Sequence, residues 1–351
     1  MSKAQAKMTN SVLESRAIKY SGLMASLAGL LMFAAVNVNP KSLSEMPTFG
    51  FILAASVAAV AFIVFVFTFN YFRSTNKRTP TFFLKVRMVI ATIALAFAHA
   101  AIGFLLVIAI VTVLVHETPG LVVTPLMMIS VTAALAGATT YVVYIQSVRM
   151  EIDSLAGLLM IFIISGSIAS MATAGDTDWW QHHLSALGAG KTLSSYTFNL
   201  TMVVGGVIVA LLADMIADMF SSIQKFSKHE QVIRSNIIRL AFFIAGLGMI
   251  GVGFVTIAEN RIIHDVSANM MSVSMGVVVV LLPWLVPIIS RTFTVFSYLM
   301  FITVVGAYAL SLQYGLGVLA FELVAGAALF AWMILFVRQI RAIYHDKVMP
   351  E

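Results

Sequence analysis

Two polar segments between apolar runs carry the residue types that could do chemistry. They span residues 175–200 and residues 258–271. Together they hold imidazole, carboxylate, guanidinium and hydroxyl groups, and two segments that face one compartment can build a single site. The candidate site residues in these segments are His183, Ser185, Asn199, Arg261, His264 and Asp265.

Three interpretations of these residues remain open. In the first, His183, His264 and a carboxylate (Asp178 or Asp265) hold a divalent ion for metal-assisted hydrolysis, because zinc favours three nitrogen or oxygen ligands plus an open water position. The spacing matches no known ligand motif, and the chain holds no HExxH sequence and no cysteine. The prediction is therefore no cofactor, with a divalent metal as the alternative.

The second interpretation is recognition of a lipid headgroup. Arg261 and Lys191 would contact phosphate, because guanidinium and ammonium groups form charge-assisted hydrogen bonds with anions. The histidines and Asn260 would bond the hydroxyls of a sugar or of glycerol. In the third interpretation, the same polar side chains cap helices and bond the backbone of their own loops.

Two carboxylates fall inside an apolar run. Asp214 and Asp218 are four residues apart, so they share one face of a helix. Acids inside a membrane span are costly and mark proton or cation pathways, which makes both candidate intramembrane acids, with the deeper Asp214 as the better one. The alternative, which we favour, is that both lie near the cytoplasmic end and pair with Lys225, Lys228 or Arg234.

Three other features inside apolar runs could carry chemistry. His99 has no second histidine at similar depth to complete a haem site, so we expect a neutral, hydrogen-bonded side chain. Glu322 is an isolated acid about two turns from the outer end of the last run. The glycines within AGLGMIGVGF, residues 245–254, form a small-residue face that predicts close helix packing and not a phosphate loop.

Ten apolar runs must position these residues. Each can span a membrane, because about 20 apolar residues cross a hydrocarbon core of ~30 Å. With 60% hydrophobic residues, 10% charged residues and a mean hydropathy of +0.99, the chain is not an ordinary soluble domain. The predicted class is all-α and polytopic, with spans at Ile18–Val38, Phe49–Tyr71, Val86–Val115, Leu121–Tyr144, Ser154–Ala174, Tyr196–Phe220, Ile237–Ile257, Ser267–Ile289, Thr292–Leu312 and Gly315–Val337.

Basic residues are confined to alternate connections. Only Lys41, Lys191 and Arg261 fall on the opposite side, so one side holds 18 of the 21 lysines and arginines. The positive-inside rule makes that side cytoplasmic, together with both termini. The same rule accounts for the net charge of +6 without a nucleic-acid partner. We predict a multi-pass protein of the plasma membrane. Its first helix is expected to be retained, because no small-residue cleavage site follows it.

The chain is predicted to form two membrane blocks, residues 1–150 with four helices and residues 151–351 with six. Helices one to four and five to eight share a layout, in which His116 and His264, 148 residues apart, occupy corresponding outer connections. An even number of helices per block predicts a parallel 4+4 repeat plus two helices. The alternative is that any alternating membrane bundle has this layout.

From about residue 154 to the C-terminus, the chain resembles the Frag/DRAM/Sfk superfamily and its bacterial relatives of unassigned function. The resemblance rests on HHLSALGAGKTLSSYTFNL, residues 182–200, and on IIHDVSANM, residues 262–270. It implies a six-helix core with cytoplasmic termini and an association with lipids, without a defined reaction. The first four helices lie outside the usual core. The superfamily pattern falls on Ser185, Leu187, Gly188, Phe198, Asn199, His264, Asp265 and Ala268.

The leading hypothesis is an integral membrane protein that binds, remodels or helps move a lipid or lipid-linked glycan at the outer leaflet, with membrane lipids as partners. Headgroup binding comes first, and acid–base work by the histidines is an option, so the sequence leaves open whether the protein is an enzyme. The alternatives are a proton-coupled secondary transporter that uses Asp214, and a non-catalytic scaffold subunit of a membrane complex or homo-oligomer.

Overall fold

The computed structural model describes residues 9–35, 41–42, 47–73, 82–118, 120–150, 152–176, 178–223, 228–314 and 318–348. Across these residues, ten helices are long and apolar enough to cross a membrane. The prediction of an all-α, polytopic membrane protein with about ten spans is therefore confirmed. The long helices are α1 (Asn10–Ala35), α2 (Pro47–Arg73), α3 (Phe82–Glu117), α4 (Pro125–Val148), α5 (Ile152–Ala172), α6 (Leu193–Ile223), α7 (Lys228–Phe254), α8 (Arg261–Val280), α9 (Arg291–Tyr314) and α10 (Val318–Val348).

Several helices continue past the apolar run that predicted them. The α7 helix begins at Lys228, nine residues before the predicted Ile237, and α10 continues to Val348. The helical hydrogen bonds run on into polar turns, whereas hydropathy reports only the part that suits hydrocarbon. The predicted limits at Val38 and Gly315 lie outside the described residues.

The chain divides into two compact units, Met1–Met150 and Glu151–Glu351. In the first unit, α4 packs against α1 and α2, and α2 also packs against α3. Two-residue strands β1 (Lys41–Ser42) and β2 (Val122–Val123) pair antiparallel, with Lys41 opposite Val123. They link the connection that follows α1 to the connection that precedes α4.

His99 is a buried, hydrogen-bonded side chain of the first unit. Its Nδ1–H donates to the carbonyl oxygen of Leu95 (2.8 Å), and Nε2 lies 3.0 Å from the side-chain amide of Gln146. The imidazole also stacks on the ring of Phe65, with 4.6 Å between the centroids. The predicted hydrogen bonding of His99 is confirmed, and both ring nitrogens are engaged inside the protein.

In the second unit, α5, α6, α7 and α8 pack in sequence order, each against the next. The α10 helix packs against α5, α6 and α9, and α9 contacts α8. The α6 helix is therefore the centre of this unit, with fully buried side chains along its length such as Ile208, Leu212, Ile216 and Phe220. Burial of such apolar side chains between helices gives the unit a dense core.

The two units pack corresponding helices differently. The first unit packs α1 against α4, whereas the second unit packs α5, the counterpart of α1 in the predicted repeat, against α6. The pair that both units share is α2 with α3 and α6 with α7. The helix contacts therefore give the 4+4 repeat little support, and it stays a prediction.

The glycines of α7 lie where neighbouring helices come closest. A Cβ added at Gly246 would lie 2.6 Å from the carbonyl oxygen of Gly206 on α6, and one at Gly253 would lie 2.5 Å from that of Asn199. On the other side, a Cβ at Gly248 would lie 2.6 Å from the carbonyl oxygen of Ser267 on α8. The prediction of close helix packing is confirmed, since no larger residue fits these contacts without backbone movement.

The α8 helix is interrupted at two prolines. It ends at Val280, short of the predicted Ile289, and a one-turn helix follows at Leu282–Leu285. Pro283 lacks the N–H that would bond the Val279 carbonyl, and the N–H of Leu281 makes the last regular bond of α8, to the carbonyl oxygen of Val277 (3.0 Å). The predicted end was wrong because hydropathy does not register the missing donor.

A buried arginine supports this interruption. Nη1 of Arg234 on α7 donates to the carbonyl oxygen of Trp284 (2.5 Å), and its guanidinium carbon lies 4.8 Å from the Trp284 ring centroid. After the interruption, the hydroxyl of Ser290 accepts the N–H of Phe293 (3.2 Å) at the start of α9. The two spans predicted on either side of residues 290–291 are therefore separate helices, and α9 begins at Arg291.

Candidate functional site

The connection between α5 and α6 is built from two short 3-10 helices, Trp179–Gln181 and Leu184–Gly188. It ends in a capping box: the N–H of Thr192 donates to Oγ of Ser195 (2.8 Å), and the N–H of Ser195 donates to Oγ1 of Thr192 (3.2 Å). This pair starts α6 at Leu193, three residues before the predicted start. The second 3-10 helix packs against α6 and α10.

Asn199 holds this connection onto α6. Its side-chain Nδ2 donates to the carbonyl oxygen of Gly188 (3.0 Å). A Cβ at Gly188 would lie 2.5 Å from the Asn199 Oδ1, so a larger residue would displace this side chain. Two residues later, Gly190 has a φ of +97°, a conformation that other residues avoid. The side chain of Asn199 is thus used inside the protein.

Glu322 on α10 is part of the site, although it was not among the six candidates that the sequence predicted. Its carboxylate accepts hydrogen bonds from the backbone N–H groups of Leu184 and Ser185. These are the first N–H groups of the 3-10 helix, which have no partner within it. The available signal was an isolated acid near the end of an apolar helix, because such an acid needs a polar partner.

His183 connects the two polar segments. Its Nδ1 shares a hydrogen bond of 2.9 Å with the hydroxyl of buried Ser185. Partial burial lowers the pKa of His183, and electrostatic interactions with His182, His264 and Arg261 lower it further, while Asp265 acts in the opposite direction. Groups from the start of α8 thus act on a histidine of the α5–α6 connection, so the two segments lie side by side.

The start of α8 carries the other half of the site. Asn260 caps the helix by accepting the N–H of Ile263 (3.1 Å). His264 is buried, and its Nδ1–H donates to the carbonyl oxygen of Val255 (2.8 Å). The predicted start at Ser267 was wrong, because helix α8 begins six residues earlier, at Arg261.

Arg261 and Asp265 form the exposed face of this start. Nε of Arg261 lies 3.5 Å from Oδ2 of Asp265, and the two side chains are 80% and 51% exposed. An exposed pair spaced i, i+4 is weak and exchanges readily with solvent or a ligand. Both side chains therefore remain available for binding.

The six candidates separate into two groups. Ser185, Asn199 and His264 bond the protein itself and fix the shape of the two segments. The other three have polar groups at the surface and lie within electrostatic reach of one another: His183, Arg261 and Asp265. Chemically, this group offers an imidazole, a guanidinium and a carboxylate around one surface.

In the described part of the chain, the structure offers no set of ligands for the proposed metal ion. There, no three His, Asp or Glu side chains are grouped so that they could hold an ion. Asp178, a proposed ligand with His183 and His264, instead accepts a hydrogen bond from Nε2 of Gln181 (3.1 Å).

Among the described residues, Arg239 pairs with both intramembrane acids, and it is not one of the partners that the sequence predicted. Nε of Arg239 on α7 lies 3.0 Å from Oδ1 of Asp214, and its Nη2 lies 3.1 Å from Oδ1 of Asp218. Arg234, one predicted partner, bonds the Trp284 carbonyl, because its side chain reaches the interruption after α8. Lys225 and the side chain of Lys228 lie outside the described residues. The expectation that basic residues pair with these acids holds with Arg239 in that role.

Comparison of the chain with protein-family models, with curated proteins and with solved structures finds no match. The fold and the site geometry are therefore the basis of the functional assignment.

Proposed function

We propose that this membrane protein binds the headgroup of a lipid or lipid-linked glycan at the outer leaflet of the plasma membrane, as a step in remodelling or moving that lipid. The proposal rests on the placement of His183 within electrostatic reach of Arg261 and Asp265 at the start of α8, at the end of the unit where Gly253 of α7 meets Asn199 of α6. A ligand in contact with all three groups would touch both segments. Ordinary helix capping needs no such placement.

The same geometry supports a role in acid–base chemistry. The lowered pKa of His183 keeps its imidazole neutral near pH 7, and a neutral imidazole can accept a proton. The hydroxyl of Ser185 lies 2.9 Å from Nδ1 of this imidazole. Hydroxyl and imidazole at this distance meet the first geometric requirement for general-base activation of a nucleophile. Remodelling would use this pair, whereas movement of a lipid would need the binding groups alone.

The proposal is tested by the envelope lipids of cells that carry only a variant protein. We expect the His183→Ala variant, and the His183→Ala/His264→Ala double variant, to reproduce the lipid profile of cells without the gene. His116→Ala, at an exposed histidine of the first unit, is the matched control and should keep the wild-type profile. Mass spectrometry of extracted lipids provides the comparison, with equal membrane levels of each protein as a precondition. A wild-type profile in the double variant contradicts the proposal.

A proton-coupled transporter is the second candidate, and it rests on Asp214. This acid lies inside α6 with a side chain that is 31% exposed, next to Arg239. Protonation of Asp214 would weaken that ion pair and so couple proton binding to helix contacts. Proton-dependent uptake of a solute that is lost in Asp214→Asn, with unchanged envelope lipids, would favour this candidate over the first.

A further inference from the structure

The end of the second unit that carries the site is acidic. We define it as residues 173–176, 178–192 and 255–265 together with Glu322. These residues meet at one end, because Gly253 near the end of α7 contacts the backbone of Asn199 near the start of α6. Lys191 and Arg261 are its two cations. Its five carboxylates belong to Asp176, Asp178, Glu259, Asp265 and Glu322, so the formal net charge is −3 with neutral histidines.

The guanidinium at the site already has a counter-charge. Arg261 lies 3.5 Å from Asp265, so an incoming anion would compete with an existing carboxylate. Of the remaining carboxylates, that of Glu322 accepts backbone N–H groups and that of Glu259 accepts the N–H of Thr256 (3.1 Å). Their charges still contribute to the local potential, which repels anions and attracts cations.

The histidine at the centre of the site suits an uncharged ligand. Partial burial and the nearby guanidinium of Arg261 hold the pKa of His183 below its usual value, so its ring is a neutral group near pH 7. A neutral ring nitrogen bonds a hydroxyl group either as donor or as acceptor, and Nε2 is the nitrogen left for a ligand, because Nδ1 shares a hydrogen bond with Ser185. The ring of Trp180, 56% exposed in the same connection, adds an apolar surface beside these polar groups.

We infer that the site takes an uncharged, hydroxyl-bearing headgroup, of the glycosyl or glyceryl class, in preference to an anionic phosphate headgroup. The inference rests on the proposed function and specifies the chemical class of the headgroup. It replaces the expectation that Arg261 and Lys191 bind phosphate. In the inferred arrangement, His183 and Asp265 bond ligand hydroxyls, and Arg261 orients Asp265.

The test uses two lipids with the same acyl chains, added to the purified full-length protein in detergent. Monoglucosyl diacylglycerol supplies an uncharged sugar, and phosphatidic acid supplies an anionic phosphate. Native mass spectrometry measures the retention of each lipid by the wild type, by His183→Ala and by the His116→Ala control. His183→Asn is included because its side-chain amide can also donate to or accept from a hydroxyl group. Melting temperatures of all variants check that each is folded.

We expect stronger retention of the glucolipid than of phosphatidic acid. His183→Ala should weaken glucolipid retention about tenfold, the effect of losing one or two hydrogen bonds. His183→Asn should restore part of it, and His116→Ala should change nothing. Raising the salt concentration from about 50 mM to about 500 mM should leave retention unchanged, since screening acts on charged ligands.

Other outcomes overturn specific parts of the inference. Preference for phosphatidic acid that is lost at high salt and in Arg261→Gln would overturn the headgroup class and leave the proposed function standing. Retention of both lipids that is independent of His183 and Arg261 would overturn the proposed function as well. If free methyl glucoside binds as strongly as the glucolipid, the site recognises sugar hydroxyls, and the ligand need not be a lipid.

Discussion

The carboxylate of Glu322, near the start of α10, accepts a hydrogen bond from the backbone N–H of Leu184, a residue 138 positions earlier in the chain. This contact attaches the 3-10 helix of the α5–α6 connection to the last helix of the unit. His183 and Ser185 flank Leu184, so the position of the site depends on an acid that lies far away in sequence.

We expect Glu322→Ala to loosen the α5–α6 connection. A hydrogen bond to a charged acceptor contributes about 1.5–3 kcal/mol, and the loss should be near the low end because Glu322 is only half-buried. Hydrogen–deuterium exchange of residues 182–190 should accelerate, and the melting temperature should fall. Glu322→Gln keeps an acceptor oxygen and should behave closer to the wild type. The control is Glu117→Ala, at an exposed acid that ends α3. Unchanged exchange in Glu322→Ala would show that this contact does not hold the connection.

The pKa of His183 should respond in opposite directions to two substitutions at the start of α8. Arg261→Gln removes a positive charge that lowers this pKa, so the pKa should rise. Asp265→Asn removes a negative charge that raises it, so the pKa should fall further. An NMR titration of labelled histidines measures both shifts, with the His183 signal assigned through His183→Gln. Two null results would contradict the side-by-side arrangement of the segments.

The same pKa predicts a loss of stability in mild acid. The folded-state pKa of His183 lies below its unfolded value of about 6.5. As the pH falls below about 6.5, the unfolded chain binds more protons at this residue than the folded chain does, which lowers the free energy of unfolding. The contribution of His183 is fully present above that pH and is lost as the pH falls through the folded-state pKa. Melting temperatures across this range should vary less with pH in His183→Gln than in the wild type.

The contact between α6 and α7 should not tolerate a methyl group. A Cβ at Gly246 would lie 2.6 Å from a backbone oxygen and 2.9 Å from the backbone nitrogen of Ala210. Gly246→Ala should therefore destabilise the protein by about 1–3 kcal/mol. Gly326→Ala on α10 is the matched control, because a Cβ there meets no atom within 4 Å. Thermal unfolding in detergent gives the comparison, and equal melting temperatures would contradict the close approach of these helices.

The ion pairs of Arg239 should contribute more to the free energy of unfolding than the exposed ion pair of Arg261. Arg239→Gln leaves two carboxylates inside an apolar helix and should cost about 1–2 kcal/mol, reduced from the value of a fully buried pair because Arg239 is 40% exposed. Arg261→Gln should cost about 0.5 kcal/mol or less. The double variant Asp214→Asn/Arg239→Gln should recover part of the loss, since it removes charge from both sides of the pair. A smaller loss in Arg239→Gln than in Arg261→Gln would contradict this account.

The sequence identified the polar residues of the two segments, but whether each one binds a ligand or bonds the protein depends on its contacts in the folded chain. Asn199 and His264 were candidates for ligand binding, and both instead bond carbonyl oxygens of Gly188 and Val255. No spacing rule distinguishes a side chain that binds a ligand from one that bonds its own backbone. That choice depends on which carbonyl group lies within about 3 Å once the chain is folded.

The ten spans and the all-α class were predictable from the sequence alone, because lipid selects long apolar runs and a run is a local property of composition. The close packing of α7 was also predictable, because its glycines are a local property of the sequence. They form two faces and not one, since Gly246 and Gly253 meet α6 while Gly248 meets α8. Only the tertiary structure decided that Arg239 pairs with Asp214 and Asp218, and that Glu322 holds the segment around Leu184. These contacts join different helices, and several charged residues in the sequence could have satisfied each acid. The choice among them was made by helix packing, which sets the few positions at which a side chain can reach its partner.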